Sequence, residues 1–182
     1  TANGEIVGTY RLQTGASAGN HLGYYSAREF DFAPFKSQRN RMLELGRACI
    51  HSAHRSYAVL SLLWRGIAHY AQEHGSHYLI GCSSLTSQDP AVGAATWQRL
   101  LPNLAPEPWR TRTMPGFACP LDRIAPSPPK TPKLLAAYLS LGATICSAPA
   151  IDRAFGTIDF LTLLDLSAPT QARRLARFGI MV

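Results

Sequence analysis

The stretch "ELGRACIHSAHRSYAV", residues 44 to 59, decides the fold class of this chain. It begins inside the apolar segment "MLELGRACI" (42–50), whose composition is typical of a central β-strand. Apolar residues then recur at helical spacing from 59 to 70, which predicts an amphipathic helix that ends at Gly75. A strand, a short polar turn and a helix in this order favour an α/β fold. A buried strand that carries a glutamate and an arginine also invites a functional explanation.

The rest of the chain continues the alternation of strands and helices. "EIVGTYRL" (5–12) has the period of two that predicts a strand. Asp89 and Pro90 are typical of the N-cap and first position of a helix. The remaining elements predicted from apolar pattern are strands at 78–82 and 158–166 and a helix from 133. This order predicts an α/β domain.

Length and composition predict one domain over residues 1–182. The chain is 46% hydrophobic and 16% charged, which suits a globular protein with a full core. The segment 102–133 holds nine of the 13 prolines and excludes long regular elements. Because too few residues follow it to found a second domain, we expect a proline-rich loop draped over one domain.

Several features favour a cytoplasmic protein. No apolar run approaches the roughly 18 residues that cross a bilayer, and the first residues show no secretory pattern. The four cysteines form no C-x-x-C pair, which favours buried thiols in a reducing compartment over a disulfide framework. These observations predict a cytoplasmic location.

The charge balance points to an anionic partner. The net charge is +7 and the pI is about 9.6, so the surface attracts nucleic acid, an anionic membrane or an acidic protein. A basic nucleic-acid-binding module is the non-enzyme alternative. No aromatic-interleaved basic motif or recognition helix is evident, so we do not expect nucleic acid as the partner.

Common catalytic and metal motifs are missing. His51-x-x-His54 and His74-x-x-His77 lack a third ligand at the spacing of a known zinc pattern, so we predict no metal site. The turn before the main helix has no P-loop, and "GCSSL" (81–85) is not a serine-nucleophile elbow.

The start of the main helix is a candidate anion site. Amides in the first turn of a helix lack partners within the helix and attract a phosphate. The residues expected to bind the phosphate-bearing ligand there are Arg55, Ser56, Tyr57, Ala58 and Val59.

The same segment resembles a known motif. Members of the GNAT acyltransferase superfamily carry Arg/Gln-x-x-Gly-x-Gly/Ala at this junction, and residues 55–60 match in the arginine and in position but lack both glycines. In that superfamily the glycines let the backbone close on the pyrophosphate of coenzyme A. Side chains at these positions narrow the cradle, which favours a donor with a single phosphate, the phosphopantetheine arm of acyl carrier protein.

A wider resemblance covers most of the chain. Together the ordered blocks resemble the haemolysin-like acyltransferase family, which includes the N-acyltransferases of ornithine-lipid synthesis. The segment 44–47 is also similar to the E-x-x-R strand of acyl-homoserine-lactone synthases. The blocks are "VGTYRL", "REFDF", "ELGRACIHSAHR", "LLWRGIAHY", "YLIGCSSL" and "PPKTPKLLAAYLSLGATICSAPAIDRAFGTIDFLTLLDL".

The resemblance implies a fold and an activity. The fold is a GNAT-like one, a central mixed twisted sheet flanked by helices, in which splayed strands form a slot for the acyl donor. The activity is transfer of a long-chain, 3-hydroxylated fatty acyl group from acyl carrier protein to the α-amine of an amino acid, with ornithine as the expected acceptor. Alternatives are an N-acyl amino acid or acyl-homoserine-lactone-type synthase, and an acyl-CoA-dependent GNAT acetyltransferase. Family members start with a further strand and helices, which this chain is expected to lack.

Catalytic roles follow from the resemblance and from chemistry. Aminolysis of a thioester needs a base for the ammonium, and Glu44 is the first candidate. Asp31 is a second base or an ammonium anchor. Strand alternation separates Glu44 from Arg47, so a bulge near Gly46 is expected to bring them together and to splay the neighbouring strands. Backbone N–H groups around residues 49–50 are expected to meet the oxyanion.

The remaining assignments concern substrates and partners. Asp152 and Asp159 are expected to hold a cationic side chain, and Tyr138 to protonate the leaving thiol. The full substrate-binding set is Ser83, Ser84, Tyr138, Asp152 and Asp159, and the donor set adds Cys49 and Ile50 to the helix start. No permanent cofactor is expected, since the donor is the acyl-phosphopantetheine of acyl carrier protein or acyl-CoA. An acidic carrier protein explains the basic surface. The tail at 172–182 is expected to contact an anionic membrane.

Overall fold

A six-stranded mixed sheet organises the molecule. The computed structural model describes residues 4–126 and 130–176. The strands run in the order β1-β2-β3-β6-β4, and β5 also pairs with β6. Their bounds are β1 Gly8–Thr14, β2 Met42–Ile50, β3 Tyr78–Leu85, β4 Thr144–Ile145, β5 Ala150–Asp152 and β6 Thr157–Asp165.

Five α-helices accompany the sheet in the described part of the chain. Ser56 caps the second helix, since its Oγ accepts the Val59 N–H at 3.3 Å, and Gly75 follows its end in the left-handed region (φ 61°). Asp89 caps the third by accepting the Ala91 N–H at 2.9 Å. The Asp89 cap and the stop at Gly75 predicted from sequence are confirmed, whereas the Ser56 cap was not predicted. The bounds are α1 Gly15–Asn20, α2 Tyr57–Glu73, α3 Pro90–Leu100, α4 Lys133–Leu141 and α5 Gln171–Ala176.

Both faces of the sheet are covered, as alternation along the strands requires. Leu43 packs on one face with Trp64 of α2 and Leu141 of α4. Met42 packs on the other face with Phe30 and Phe35, from the segment before β2. The predicted α/β fold, a mixed sheet flanked by helices, is confirmed.

β2 and β3 pair over only part of their length. They run parallel, and the ladder joins Met42, Leu43 and Glu44 to the first three residues of β3 and then ends. Beyond Glu44 the described chain shows no further pairing between these strands, although β2 continues to Ile50 and β3 to Leu85. The two strands therefore part after the first third of β2.

A β-bulge accompanies this divergence. β2 pairs with β1 so that Cys49 opposes Thr9 and Gly46 opposes Arg11, which leaves two residues of β2, Arg47 and Ala48, opposite Tyr10 alone. Arg47 has a positive φ of 53°. A bulge bends the strand that carries it, so the predicted bulge near Gly46 is confirmed and provides a reason for the splay.

Close backbone contact marks the point of divergence. A Cβ added to Gly81 of β3 would lie 2.3 Å from the Leu45 carbonyl oxygen. Only a residue without a side chain fits there, so glycine lets the two strands touch just before they separate.

The proline-rich segment attaches to the far edge of the sheet. Isolated bridges join Leu104 to Ile145 and Ala118 to Ala150. The described residues of this segment form no helix longer than three residues before α4, in keeping with the predicted irregular loop.

Two local expectations need correction. β1 begins at Gly8 and ends at Thr14, later than the predicted 5–12. Between β1 and β2 the chain forms α1 and two 3-10 helices, Tyr25–Arg28 and Ala33–Arg41, which were not predicted because no apolar period marks them.

No helix among the described residues has the length and apolar character needed to cross a membrane. Of the tail assigned to a membrane surface, 172–176 belong to α5, and 177–182 lie outside the described residues.

Candidate active site

A cleft opens where β2 leaves β3. Its volume is about 480 Å³, within the range of small-molecule sites. The predicted slot between splayed strands is therefore present. The cleft is lined by residues of β1, the segment after it, β2, β3, α4 with its leading Pro132, and the β5–β6 hairpin: Arg11, Tyr25, Ser26, Leu45, Gly46, Arg47, Ala48, Cys49, Cys82, Ser83, Ser84, Pro132, Leu134, Leu135, Asp152, Phe155 and Asp159.

A smaller cavity of about 60 Å³ lies between the same strands and α2. Tyr138 and Tyr10 both line it, and their hydroxyls are 2.9 Å apart. Burial raises the pKa of Tyr138 well above its usual value. The indole N–H of Trp64, which also lines this cavity, is buried and has no hydrogen-bond partner among the described residues. This small cavity is mostly apolar and has a few polar atoms at its wall.

Glu44 is fully buried and fully hydrogen-bonded. Its Oε2 accepts from Arg11 Nη2 at 2.6 Å and from the Tyr25 N–H at 3.0 Å. Its Oε1 accepts from the N–H and the Oγ of Ser26, both at 2.8 Å. A carboxylate has about four acceptor positions, so no position is left for an incoming proton. We interpret Glu44 as the cap of the 3-10 helix Tyr25–Arg28.

The expected partnership of Glu44 with Arg47 is wrong. The cation bound to Glu44 is Arg11 of β1, which lies diagonally across the β1–β2 pair from it. Gly46 leaves room for the Arg11 side chain to reach Glu44, because a Cβ at position 46 would lie 3.0 Å from Arg11 Nη2.

Arg47 instead faces the mouth of the cleft. Its guanidinium lies 5.4 Å from the ring centre of Tyr25 and 5.2 Å from that of Phe155. Arg11 and Arg28 lie 5.3 and 5.4 Å from the same Tyr25 ring. Among the described residues Arg47 forms no salt bridge. The mouth therefore carries a positive charge with no carboxylate oxygen within 4.0 Å of it in the described chain.

Two buried acidic residues, Glu29 and Asp159, lie deeper in the site. Glu29 and Asp159 are 1% and 4% exposed. Glu29 Oε2 and Asp159 Oδ1 are both buried and accept no hydrogen bond from an amide, hydroxyl or cation in the described chain. Burial, and next the neighbouring charge of Asp159, raise the pKa of Glu29 to about 8. The arrangement suits two carboxyl groups that share one proton, held on Glu29 and donated to Asp159.

Asp159 is the member of this pair that reaches the cleft. Burial raises its pKa, while hydrogen bonds from Ser84, Glu29 and Thr157 act in the opposite direction. The Thr157 hydroxyl donates to Oδ2 at 3.2 Å. These three donors favour ionised Asp159 beside protonated Glu29.

Glu29, Cys82 and Asp159 are also the candidate metal ligands of the described chain. Their ligand atoms lie within 4.8 Å of one another. Burial raises the pKa of the Cys82 thiol well above its usual value, and a cysteine binds metal as the thiolate. Metal binding here would have to displace that proton, so the expectation of no metal site stays a prediction.

The serines and Asp152 lie at the cleft as the sequence analysis expected. Ser83, Ser84 and Asp152 all line it. The Ser83 Oγ lies 3.2 Å from Thr162 Oγ1, and Asp152 Oδ1 accepts the Phe155 N–H at 2.9 Å. Asp152 therefore also shapes the hairpin between β5 and β6.

Asp31 does not reach the cleft. Its Oδ1 accepts the Ala33 N–H at 2.9 Å, and its Oδ2 lies 3.4 Å from Arg112 Nε. The carboxylate begins the 3-10 helix that follows it and pairs with the proline-rich segment. The geometry thus contradicts the assignment of Asp31 as a base or ammonium anchor.

The predicted donor residues divide between the cleft and its outer end. Cys49 lines the cleft and is exposed, contrary to the expectation of a buried thiol, because β2 no longer pairs with β3 at this position. Ile50 and residues 55–59 do not line it. Arg55 is exposed and its Nε donates to the Ile50 carbonyl at 3.3 Å, so it joins the helix start to the end of β2. Ser56 already occupies the Val59 amide of the predicted phosphate cradle.

The residues of the site that were not predicted include Arg11, Tyr25, Ser26 and Glu29. Arg11 appeared only as the polar face of a strand. Glu29 belongs to the "REFDF" block, where its neighbour Asp31 was chosen instead.

Comparisons with known proteins identify the class. The acetyltransferase (GNAT) domain family matches residues 1–65, which include β1, the Glu29 segment, β2 and the start of α2. Among solved structures, the CoA-dependent acyl-homoserine lactone synthase BjaI aligns with a TM-score of 0.48 at 13% identity, over 97% of this chain and 60% of that one. The fold and cleft therefore define an α/β protein with a mixed sheet, whose first 65 residues match the acetyltransferase (GNAT) domain family.

Sequence relatives define the family. The chain is 36% identical over 172 residues to an L-ornithine N(alpha)-acyltransferase of Brucella abortus, which covers 89% of this chain and 61% of that protein. It is 33% identical over 177 residues to one of Rhodobacter capsulatus, which covers 93% of this chain and 68% of that protein. The chain belongs to the L-ornithine N(alpha)-acyltransferase family. It spans about three fifths of the length of the Brucella relative.

Proposed function

We propose that this protein transfers a long-chain, 3-hydroxylated fatty acyl group from acyl carrier protein to the α-amine of ornithine. The observation that carries the proposal is the cleft between β2 and β3, since it joins an unpaired strand edge to charged groups of both signs. Membership of a family whose relatives are named L-ornithine N(alpha)-acyltransferases supports the acceptor. The enzyme forms an amide from a thioester and holds no permanent cofactor.

The donor lies along the open edge of β2. Backbone groups of 45–50 that face β3 have no ladder partners there, so they can bind the amides of a pantetheine arm as a neighbouring strand would. In this proposal a backbone N–H near Cys49 or Ile50 donates to the oxyanion of the thioester carbonyl. The apolar small cavity receives part of the acyl chain.

Arg55 and the start of α2 bind the phosphate of the donor. Arg55 is exposed at the outer end of β2, next to the helix terminus that attracts anions. The missing glycines favour the single phosphate of an acyl carrier protein over coenzyme A. The net charge of +7 supports an acidic carrier as the partner, with docking that weakens as salt rises.

The proposal also covers the bounds of the domain and the cellular location of the protein. Residues 1–182 form one acyltransferase domain, since the proline-rich segment bridges to the sheet at Leu104 and Ala118. The enzyme acts in the cytoplasm and meets the anionic inner membrane face, where an acylated product accumulates.

The test presents the purified protein with 3-hydroxyacyl carrier protein or the corresponding acyl-CoA and a panel of amino acids, with products identified by mass. We expect N-acylornithine from the carrier protein at a rate at least about tenfold above that from acyl-CoA. Preference for acyl-CoA would replace the proposed donor, and absence of any N-acyl product from every pair would contradict the proposed function. Retention on DNA without acyl transfer would favour the nucleic-acid alternative.

Arg55→Ala tests the phosphate site, with exposed Arg123→Ala as the matched control. Loss of one exposed arginine that binds phosphate should raise KM for the carrier protein about tenfold and reduce its salt dependence, while kcat is unchanged. Equal KM values for the two variants would place the phosphate elsewhere.

A further inference from the structure

We propose that the cleft holds the acceptor amino acid between Arg47, which binds its α-carboxylate, and Asp159, which receives its α-ammonium and accepts the proton that this group must lose. Glu29 is the positioning residue that acts through Asp159. The inference rests on the proposed function, because it assigns the place of the acceptor within that site.

Hydrogen bonding distinguishes Asp159 from the buried carboxylate of Glu44. Glu44 accepts four hydrogen bonds within the protein. Asp159 Oδ1, in contrast, has no amide, hydroxyl or cation donor among the described residues, and it belongs to a residue only 4% exposed. A buried oxygen without a donor is costly, and an ammonium group in the cleft would supply the donor. Asp159 is therefore the buried acid with capacity for a ligand.

Glu29 contributes the second buried oxygen that has no amide, hydroxyl or cation donor among the described residues. Its Oε2 is buried beside Asp159, and two carboxylates in contact cannot both ionise at low cost. One proton on Glu29, donated to Asp159, satisfies Glu29 and supplies one donor to Asp159, whose carboxylate keeps a further acceptor position for the amine. When a cationic amine enters, Asp159 accepts from Glu29 on one side and from the amine on the other.

The opposite charge is at the mouth of the same cleft. Arg47 lines the cleft with Asp159 and has no carboxylate partner in the described chain. Its guanidinium is held between the Tyr25 and Phe155 rings, which leaves its N–H groups to bind an anion. Both ends of an amino-acid zwitterion thus find a counter-charge.

Tyr25 lies between the two charged regions. Burial is the largest cause that raises the pKa of its phenol, and the carboxyls of Asp152 and Glu29 raise it further, whereas Arg47 and Arg28 lower it. The other ionisable groups around the acidic pair are Asp152 of β5, Arg28 of the 3-10 helix and Cys82 of β3, with Glu44 facing Cys82. Any measured pH dependence contains their contributions, so the test below compares matched variants.

The chemistry balances without another reactant. The α-ammonium gives one proton to the Asp159 carboxylate, and the neutral nitrogen forms a C–N bond with the thioester carbonyl carbon. The tetrahedral intermediate then breaks its C–S bond. The nitrogen then loses its second proton, and Asp159 releases the first. One of these two protons is taken up by the departing thiolate, and the other enters the solvent.

Asp159→Asn is the first variant, with the exposed Asp122→Asn as its matched control. Removal of the proton acceptor should lower kcat/KM for ornithine by about 10²- to 10⁴-fold, while binding of the acyl carrier protein, followed by tryptophan fluorescence, is unchanged. Turnover within threefold of the control would overturn the inference. So would loss of ornithine acylation with normal rates on leucine, since that pattern assigns Asp159 to the side-chain ammonium.

Glu29→Gln tests the shared proton and remains informative if Asp159→Asn does not fold. The ratio of wild-type to variant kcat/KM removes the ionisation of the substrate itself. It should lie near one at pH 6.5 and rise above pH 8, where wild-type Glu29 ionises and makes Asp159 more basic. A ratio that is constant across this range would contradict the pair, because a purely structural role has no such pH dependence.

Arg47→Gln tests the other end of the acceptor, with Arg123→Gln as its control. Wild type should prefer ornithine to ornithinamide, which lacks the carboxylate, by about 10- to 100-fold in kcat/KM. The variant should show a ratio near one, and an unchanged ratio would remove Arg47 from acceptor binding.

The outcomes separate this inference from the proposed function. Wild type that makes no N-acyl product overturns both. Wild type that acylates ornithine, with Asp159→Asn equally active, overturns the inference alone. Activity that a chelator abolishes and zinc restores would assign Glu29, Cys82 and Asp159 to a metal instead, and would also overturn it.

Discussion

Two buried acidic regions lie on either side of the point where β2 and β3 part. At Glu44, four donors surround one carboxylate, and the strands are still paired. At Glu29 and Asp159, two carboxyl groups face each other with an oxygen on each that has no such donor among the described residues. The first region holds structure together, and the second has capacity for a ligand. Burial alone therefore does not identify a functional acid, because the number of hydrogen-bond donors around a buried carboxylate determines whether it can accept a bond from a ligand.

The largest effect on stability is expected from Glu44→Gln. The amide would bring N–H groups toward donors that already point at this position, so we expect the free energy of unfolding to fall by about 3 kcal/mol. Urea unfolding at pH 7 measures this change. The exposed Glu107→Gln is the matched control, and equal stability of the two variants would contradict the structural role of Glu44.

Gly81→Ala disturbs the boundary between the two regions. The new Cβ would lie 2.3 Å from the Leu45 carbonyl oxygen, so the strands must move apart, and the free energy of unfolding should fall by about 2 kcal/mol. Gly66→Ala is the control, since nothing lies within 4 Å of its Cβ position in α2. That substitution should stabilise the helix by about 0.5–1 kcal/mol, and a similar gain at residue 81 would show that the strands do not touch there.

The pH dependence of the free energy of unfolding reports whether Glu29 is protonated in the folded protein. Its pKa in the folded protein is about 8, against an ordinary value of 4.5. Between these values the folded chain holds a proton that the unfolded chain releases, so the free energy of unfolding should fall as pH rises, by about 1–2 kcal/mol from pH 6 to 8. Glu29→Gln should show a flatter dependence than Glu107→Gln in urea unfolding at both pH values. Parallel curves would mean that Glu29 is ionised throughout.

The smallest effect on stability is expected from Asp159→Asn. The amide can donate to Glu29 Oε2, which has no amide, hydroxyl or cation donor in the described chain, so the free energy of unfolding should change by less than about 1 kcal/mol at pH 7. A loss as large as that of Glu44→Gln would mean that the two regions do not differ as proposed.

Much of the architecture is readable from local pattern. The bounds of β2, the end of α2 at Gly75, the cap of α3 and the bulge near Gly46 follow from periodicity, helix-terminal residues and strand alternation. Helix and strand periods act over a few residues, so a single sequence carries them. The order of blocks also pointed to the family, and with it to Asp152, Asp159 and the serines of β3.

The partners of charged residues were not readable in the same way. Arg11 reaches Glu44 because β1 pairs with β2 in a particular register and Gly46 leaves space between them. Glu29 and Asp159 are 130 residues apart in the chain, and they meet because the segment after β1 folds under the cleft. Asp31, two residues from Glu29, turns outward to Arg112.

The amino-acid order alone therefore determined the strands and helices, the mixed α/β class and the place where a strand would bend. Only the tertiary structure decided which acid is saturated and which has an oxygen left for a ligand. The physical reason is range: backbone preference and hydrophobic period are properties of neighbours along the chain, whereas the donors around a buried carboxylate come from distant segments that packing alone brings together.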